Sequence, residues 1–439
     1  MQKVNFLLGG WMTKGKLFRA LLLTLFLTFL LSLSSSSALG EAKVKYVFLF
    51  IGDGMGEGQR ALAHAFYGKL VMNDLPVQGF ITTQPLGGRI TDSAASATAL
   101  ATGKKVLNGF LSVDSSDFSK LTTLAEVFKA RGIGVGIVTN TPIDDATPAA
   151  FYSHQRSRLS YYEISLDMIR SGFDYFAGGS PLGNHERYRK RRPDILSLAK
   201  ANGYRVVRDK VEAESLKAGA GKVMIFDQGA ALYYEIDRPK DTLSLADLTR
   251  KAIELLYGPH GFFIMVEGGK IDWACHANDA LTAIAEVKAL DEAVEEALEF
   301  LRKHPEETLI VVTADHECGG MRVDLSGERF RLLKHQTMSY ARFNRELSKG
   351  GDIVGLVKRA FGLNLTESEI KTLGDEVGSL ALKLIRILNE RAGINWGTRG
   401  HTDAPVPISA IGVGAQIFSG FYDNTEVPMR IIRIVGLTF

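Results

Sequence analysis

The sequence predicts an α/β fold: one large, mostly parallel central β-sheet sandwiched by helices. Short apolar runs of strand length alternate along the chain with longer stretches of helical period, the pattern of a parallel sheet covered on both faces. Of 439 residues, 46% are hydrophobic and 23% charged, which is globular composition with material for a sizeable core. No repeat, low-complexity tract or linker divides the chain beyond its N-terminal segment.

That segment comes first. Lys14, Lys16 and Arg19 precede an apolar run, Ala20 to Leu33, and then the small polar stretch SSSSALGEA. This is the order of a signal peptide over residues 1–42. The apolar run is short for a bilayer span of about 20 residues. The expectation is an exported protein, periplasmic or extracellular, with no stable membrane anchor. Residues 1–42 hold Lys3, Lys14, Lys16, Arg19 and Glu41, so the net charge of +3 belongs to them and the remainder is formally neutral. That balance offers no footprint for a specific nucleic-acid partner. Cys275 and Cys318 are the only cysteines, too few for a disulfide framework.

Residues 43–439 are expected to form one domain. Its strands are Tyr46–Ile51, Gly134–Thr139, Phe262–Val266, Thr308–Thr313 and Ile408–Val413. Its helices include Ser93–Thr102, Thr122–Arg131, Leu159–Ser171, Asp279–Lys303 and Ile353–Phe361. Two more charged and less regular stretches, near 180–257 and 322–399, are expected as excursions from the core sheet.

In open α/β sheets, ligands bind beyond the carboxyl ends of the strands. Asp53 follows the first strand, in GDGMG. Asp145 and Thr147 follow the second, in TPIDDATPAA. Glu267, Asp272 and His276 follow the third, in EGGKIDWACH. Asp315 and His316 follow the fourth, in ADHECGG, and His401 in GTRGHTDAP precedes the last. Singly, each reads as a turn, a cap or a surface pair. Together, the anions would repel one another, and cations remove the conflict. Imidazole with carboxylate suits zinc; carboxylate with a threonine hydroxyl suits magnesium. The glycine cluster around Asp53 does not match the G-x-G-x-x-G nucleotide fingerprint in either register.

Ser93 opens the small-residue run in TDSAASATALATG, at a helix N-terminus whose free N–H groups attract an anion. It reads either as a capping serine or as a nucleophile. Arg158, in HQRSRLSYYE, reads as a solvated charge or as a two-pronged ligand for phosphate oxygens.

With these motifs in this order, the chain resembles the alkaline phosphatases. TDSAASATALATG is similar to that family's phosphoserine segment, and DATPAAFYSHQRSR, VEGGKIDWACH, TADHECGG and GHTDAP are similar to further family motifs. The resemblance implies the family's large sheet with an inserted crown, and a homodimer. It implies a hydrolase that takes small phosphate monoesters through a phosphoserine intermediate, with Ser93 as nucleophile and Arg158 binding the phosphate. It implies one zinc on Asp272, His276 and His401, and a second on Asp53, Asp315 and His316. A third ion, usually magnesium, falls to Asp53, Thr147 and Glu267, with Asp145 just outside it.

Two positions depart from the family. Trp273 stands where well-studied relatives carry Lys or His, and it cannot bond to phosphate as those do. Cys318 stands where some relatives have a His near the first zinc, and a thiol there could favour cobalt as a replacement metal. Cys275 and Cys318 could pair, although their spacing does not require it. His154, one helical turn before Arg158, is either a structural residue or the group that orients that arginine. Rival readings are a diesterase or sulfatase of the same superfamily, and a phosphate- or metal-binding protein without turnover. The sulfatase pattern C/S-x-P-x-R is absent at Ser93, and a binding protein would have no use for a serine aimed at the metals.

Overall fold

The computed structural model describes residues 44–350, 352–369 and 379–439. The signal peptide expected over residues 1–42 lies outside them. The described strands are β1 (Tyr46–Ile51), β2 (Val77–Thr82), β3 (Gly134–Pro142), β4 (Tyr175–Gly179), β5 (Tyr204–Val207), β6 (Lys222–Phe226) and β7 (Phe262–Glu267). They continue with β8 (Thr308–Thr313), β9 (Glu317–Cys318), β10 (Met321–Val323), β11 (Ile394–Trp396), β12 (His401–Thr402), β13 (Val406–Gly412) and β14 (Gly420–Asp423).

Ten of them form the central sheet, in the order β14-β2-β13-β8-β1-β7-β3-β4-β6-β5. Every pairing is parallel except those of β13, which runs against both β8 and β2. The middle of the sheet is buried on both faces, so β1 is a continuous apolar run, YVFLFI, rather than an alternating one. Its neighbours lie in level register: Ile51 is opposite Glu267 on one side and Thr313 on the other, and Thr139 is also opposite Glu267. Three strands therefore end at one height, and β3 passes that height and runs on to Pro142.

Helices cover both faces. Four matter for the site: α1 (Glu57–Tyr67), α2 (Ser93–Thr102), α3 (Lys270–His276) and α4 (Ala280–Lys303). All ten residues of α2 are buried, which its small side chains permit. Asp92 caps α2 by accepting from Ala95 N at 3.0 Å, and Gly103 ends it in the left-handed region at φ 70°. Among the described residues no helix is long and apolar enough to cross a membrane.

The stretch 180–257, expected as an excursion, is instead partly sheet: β6 and β5 lie within it and extend the sheet beyond β4. They are short, and the edge strand β5 (YRVV) has mixed polarity, so neither carries a readable period. The described part of 322–399 does lie off the main sheet, as the two-stranded β10–β11 ladder and helices Tyr340–Ser348, Ile353–Phe361 and Leu380–Arg391.

Phe263 in β7 is fully buried and stacks on Phe128 with ring centroids 5.0 Å apart. Truncating it leaves a cavity that rigid neighbours cannot fill. Phe263→Ala is expected to cost about 3–5 kcal/mol, read as a lower denaturant midpoint with an unchanged slope.

Candidate active site

The first turn beyond β1 holds Asp53 against the start of α3. Gly54 makes this possible: its φ is +73°, and a Cβ there would lie 2.9 Å from Asp272 Cα. Gly54 N donates to Asp315 Oδ1 at 3.1 Å, and His316 N donates to the same oxygen at 2.8 Å. His316 Nε2 lies 3.2 Å from Asp315 Oδ2 and 3.3 Å from Asp53 Oδ1. One ligand atom from each of these three residues falls within 4.8 Å of the others.

This cluster is electrically uncomfortable. Asp53 Oδ1, Asp315 Oδ2 and His316 Nδ1 are buried without a hydrogen-bonding partner, a costly condition for polar atoms. Burial, then Asp315, Asp272 and Glu267, push the Asp53 carboxyl well above its usual range. Burial and Asp272 push Asp315 up to about 7. Burial and the neighbouring His401 hold His316 well below its ordinary value.

A second cluster adjoins the first. Asp272 and His276 sit one turn apart on α3, and His401 comes from β12. His401 Nδ1 is 2.8 Å from Thr91 O, and His276 Nδ1 is bonded to Arg399 O. A carbonyl only accepts, so each Nδ1 carries a proton, and in its neutral form each ring turns the Nε2 lone pair inward. Those two Nε2 atoms are 3.2 Å apart, and Asp272 Oδ2 is 3.2 Å from that of His276. Two lone pairs and a carboxylate converge on a space that only positive charge can satisfy: a proton or a metal ion. Carbonyl bonds at the far ring nitrogen are also how metal-ligating histidines are oriented. Hydrogen bonding to Asp272 raises His276 to about 9. Burial opposes ionisation of Asp272, but His276 and His401 outweigh it and hold that carboxyl below its usual range.

Ser93, 2% exposed, is the first residue of α2, and its Oγ is 3.3 Å from His316 Nε2. Arg158 reaches Asp92, the residue before Ser93, from a loop. Its guanidinium is held by Asp92 Oδ2 at 3.4 Å and Asp145 Oδ1 at 3.3 Å. Burial disfavours the charge, but Asp145, Asp92 and Asp53 outweigh that and keep it above its ordinary value. Asp145 also caps the short helix Ala146–Ala149. Glu267 Oε2 accepts from Thr139 and Thr141, and burial still pushes it up to about 8, with Asp145 adding to the push. Thr147 Oγ1 is buried with no partner. Trp273 is half-buried against the core.

Two open alternatives are decided here. Cys275 and Cys318 are both free and buried, so they form no disulfide. His154 does not orient Arg158: its ring nitrogens bond Ser112 O at 2.8 Å and Glu126 Oε1 at 2.9 Å. Asp92 does that work, and its only sequence signal was its place directly before Ser93. Glu317 and Gln59 were also missed. Gln59 Nε2 donates to Glu317 Oε1 at 3.0 Å and Cys318 O at 2.7 Å, joining α1 to the segment that follows His316.

A sequence profile for alkaline phosphatase matches residues 44–177 and 172–437. The chain belongs to the alkaline phosphatase family. Alkaline phosphatase 3 of Bacillus subtilis is 34% identical over 365 residues, which is 78% of this chain and 77% of that one. The cold-active alkaline phosphatase of a psychrophilic Shewanella superposes with a TM-score of 0.80 at 32% identity, covering 89% of this chain and 99% of its own. A variant alkaline phosphatase from TAB5, with magnesium bound in its M3 site, gives 0.68 at 28% identity, covering 90% and 99%. As a member of the alkaline phosphatases, this chain is a phosphomonoester hydrolase.

The His154–Glu126 pair yields a prediction. Burial disfavours the His154 charge, but bonding to Glu126 and to the Ser112 carbonyl outweighs it and raises its pKa. A raised histidine stabilises fully below its unfolded pKa of about 6.5 and loses this as pH climbs through the folded value. His154→Gln is expected to cost about 1 kcal/mol near pH 6 and less near pH 9. Thermal melts at the two pH values check this, and kcat/KM is expected to stay unchanged.

Proposed function

We propose that the chain hydrolyses phosphate monoesters through a phosphorylated Ser93, with two zinc ions and one magnesium. Zinc would be held by Asp272, His276 and His401, and by Asp53, Asp315 and His316. Magnesium would be held by Asp53, Thr147 and Glu267, with Asp145 close outside. The observation that carries this is the placing of Ser93 Oγ at the head of a buried helix, 3.3 Å from His316 and beside clusters of unneutralised ligand atoms. The partnerless Thr147 hydroxyl and the magnesium in the TAB5 relative support the third ion.

The chain's own residues divide the work. Arg158, anchored by Asp92 and Asp145, keeps N–H groups free to take two phosphoryl oxygens. The N-terminus of α2 favours negative charge at Ser93 Oγ. That oxygen gives its proton to solvent and forms the bond to phosphorus as the alcohol departs with its electron pair and takes a proton from solvent; water then takes the phosphoryl group, which leaves as inorganic phosphate, and Ser93 regains a proton. The ions, when bound, neutralise the oxygens of this transfer. Export and assembly as a homodimer belong to the same proposal, on the apolar run Ala20 to Leu33 and the family resemblance.

The test is turnover of an aryl phosphate monoester against the matching diester by the purified chain. Monoester is expected to be the faster substrate, with activity lost on chelation and restored by metal. Ser93→Ala is expected to lose on the order of 10³-fold or more in kcat. Arg158→Ala removes charge-assisted hydrogen bonds worth about 1.5–3 kcal/mol, so kcat/KM is expected to fall roughly 10- to 100-fold. Diester as the faster substrate, or full activity in Ser93→Ala, would overturn the reading.

A further inference from the structure

Cys318 has no part in the mechanism above, yet its sulfur lies at the second cluster. β9 and β12 form a two-residue antiparallel ladder that places Cys318 directly opposite His401. Opposed residues in such a ladder share one face, with β-carbons about 4.5–5.5 Å apart. Cys318 Sγ joins the ligand atoms of Asp272, His276 and His401 in a group whose members all lie within 4.8 Å of one another.

The register of this ladder is pinned. The Glu317 carboxylate accepts from Gly320 N at 2.9 and 3.0 Å and from the Thr402 hydroxyl. Gln59 holds Cys318 O, and Gly319 N donates to Gly400 O at 2.9 Å. Gly319 has φ +92°, and a Cβ there would lie 2.4 Å from the Trp396 ring, so that ring closes over the turn. The sulfur has little else to bind: its polar neighbour is the Asp272 carbonyl at 4.0 Å, a long contact even for sulfur. Beside it, Asp272 Oδ1 is buried without a partner. The other thiol differs, since Cys275 Sγ accepts from Gln59 at 3.6 Å and stands outside the group.

We propose that Cys318 is the fourth protein ligand, through its thiolate, of the metal ion held by Asp272, His276 and His401. The inference rests on the metal reading of that cluster. On binding, the S–H bond gives its proton to solvent and the sulfur lone pair forms the bond to the metal. One thiolate, two imidazoles and one carboxylate suit zinc or cobalt and disfavour magnesium and calcium. A catalytic zinc keeps three protein ligands and an open position, so the bond to sulfur belongs to the resting protein and not to the turnover complex.

The full chain is stripped of metal and reloaded with cobalt or zinc alone. The cobalt form is expected to show a thiolate-to-cobalt charge-transfer band in the near ultraviolet, lost in Cys318→Ser and kept in Cys275→Ser. X-ray absorption of the zinc-loaded wild type is expected to show one sulfur at about 2.3 Å from zinc, which needs no variant to fold. Competition with a chelator is expected to show zinc bound more than about 100-fold more weakly in Cys318→Ser, beyond the loss of an outer partner of a ligand. Metal-loaded wild type with neither the band nor a sulfur neighbour would overturn the inference and leave the metal reading standing. So would a band that follows Cys275. A folded protein that takes up neither metal would overturn both.

Discussion

The site depends on one constraint, the level register of β8, β1, β7 and β3. Ile51, Glu267 and Thr313 end in a row, level with Thr139 of β3, which runs on to Pro142, so the residues that follow four distant strands are delivered to one edge. Parallel pairing is what achieves this, because it points every carboxyl end the same way and leaves the loops no other edge. A slip of one residue in any pair would turn that strand's side chains to the opposite face and scatter the ligands. The continuous apolar sequence of β1, buried on both faces, ties the register to the core itself.

What is delivered there works against folding. Asp53, Glu267, Asp272 and Asp315 are all buried, and three of them are pushed toward protonation by burial and by one another. A protein that needed only stability would fill this space with apolar side chains. The cost is intelligible when the cluster is a receptor for cations, since a metal both neutralises the carboxylates and gives the partnerless oxygens and nitrogens something to bind. The same field bears on Arg158: two carboxylates keep its guanidinium charged and fix its place.

Much of this was legible in the sequence, and for a local reason. Asp53, Glu267, Asp315 and Ser93 stand within a few residues of a strand or helix end that its own composition marks. What was not legible is what depends on pairing across the chain. β4, β5 and β6 are short, rich in glycine or mixed in polarity, and owe their place to neighbours. Asp92 shows its grip on Arg158 only when residues 66 positions apart meet. His154 was open to a structural reading or to orienting Arg158; the segment is an irregular loop with Gln155 bridged to Leu111, and the ring reaches Glu126. Cys318 read as a small buried thiol until a ladder set it opposite His401.

The central claim is that the two clusters are metal sites, and anomalous X-ray diffraction at the zinc edge tests it most directly. Crystals of the full chain grown with zinc are predicted to show one peak among Asp272, His276 and His401 and another among Asp53, Asp315 and His316. An enzyme that turns over a phosphate monoester while both positions stay empty would contradict the account.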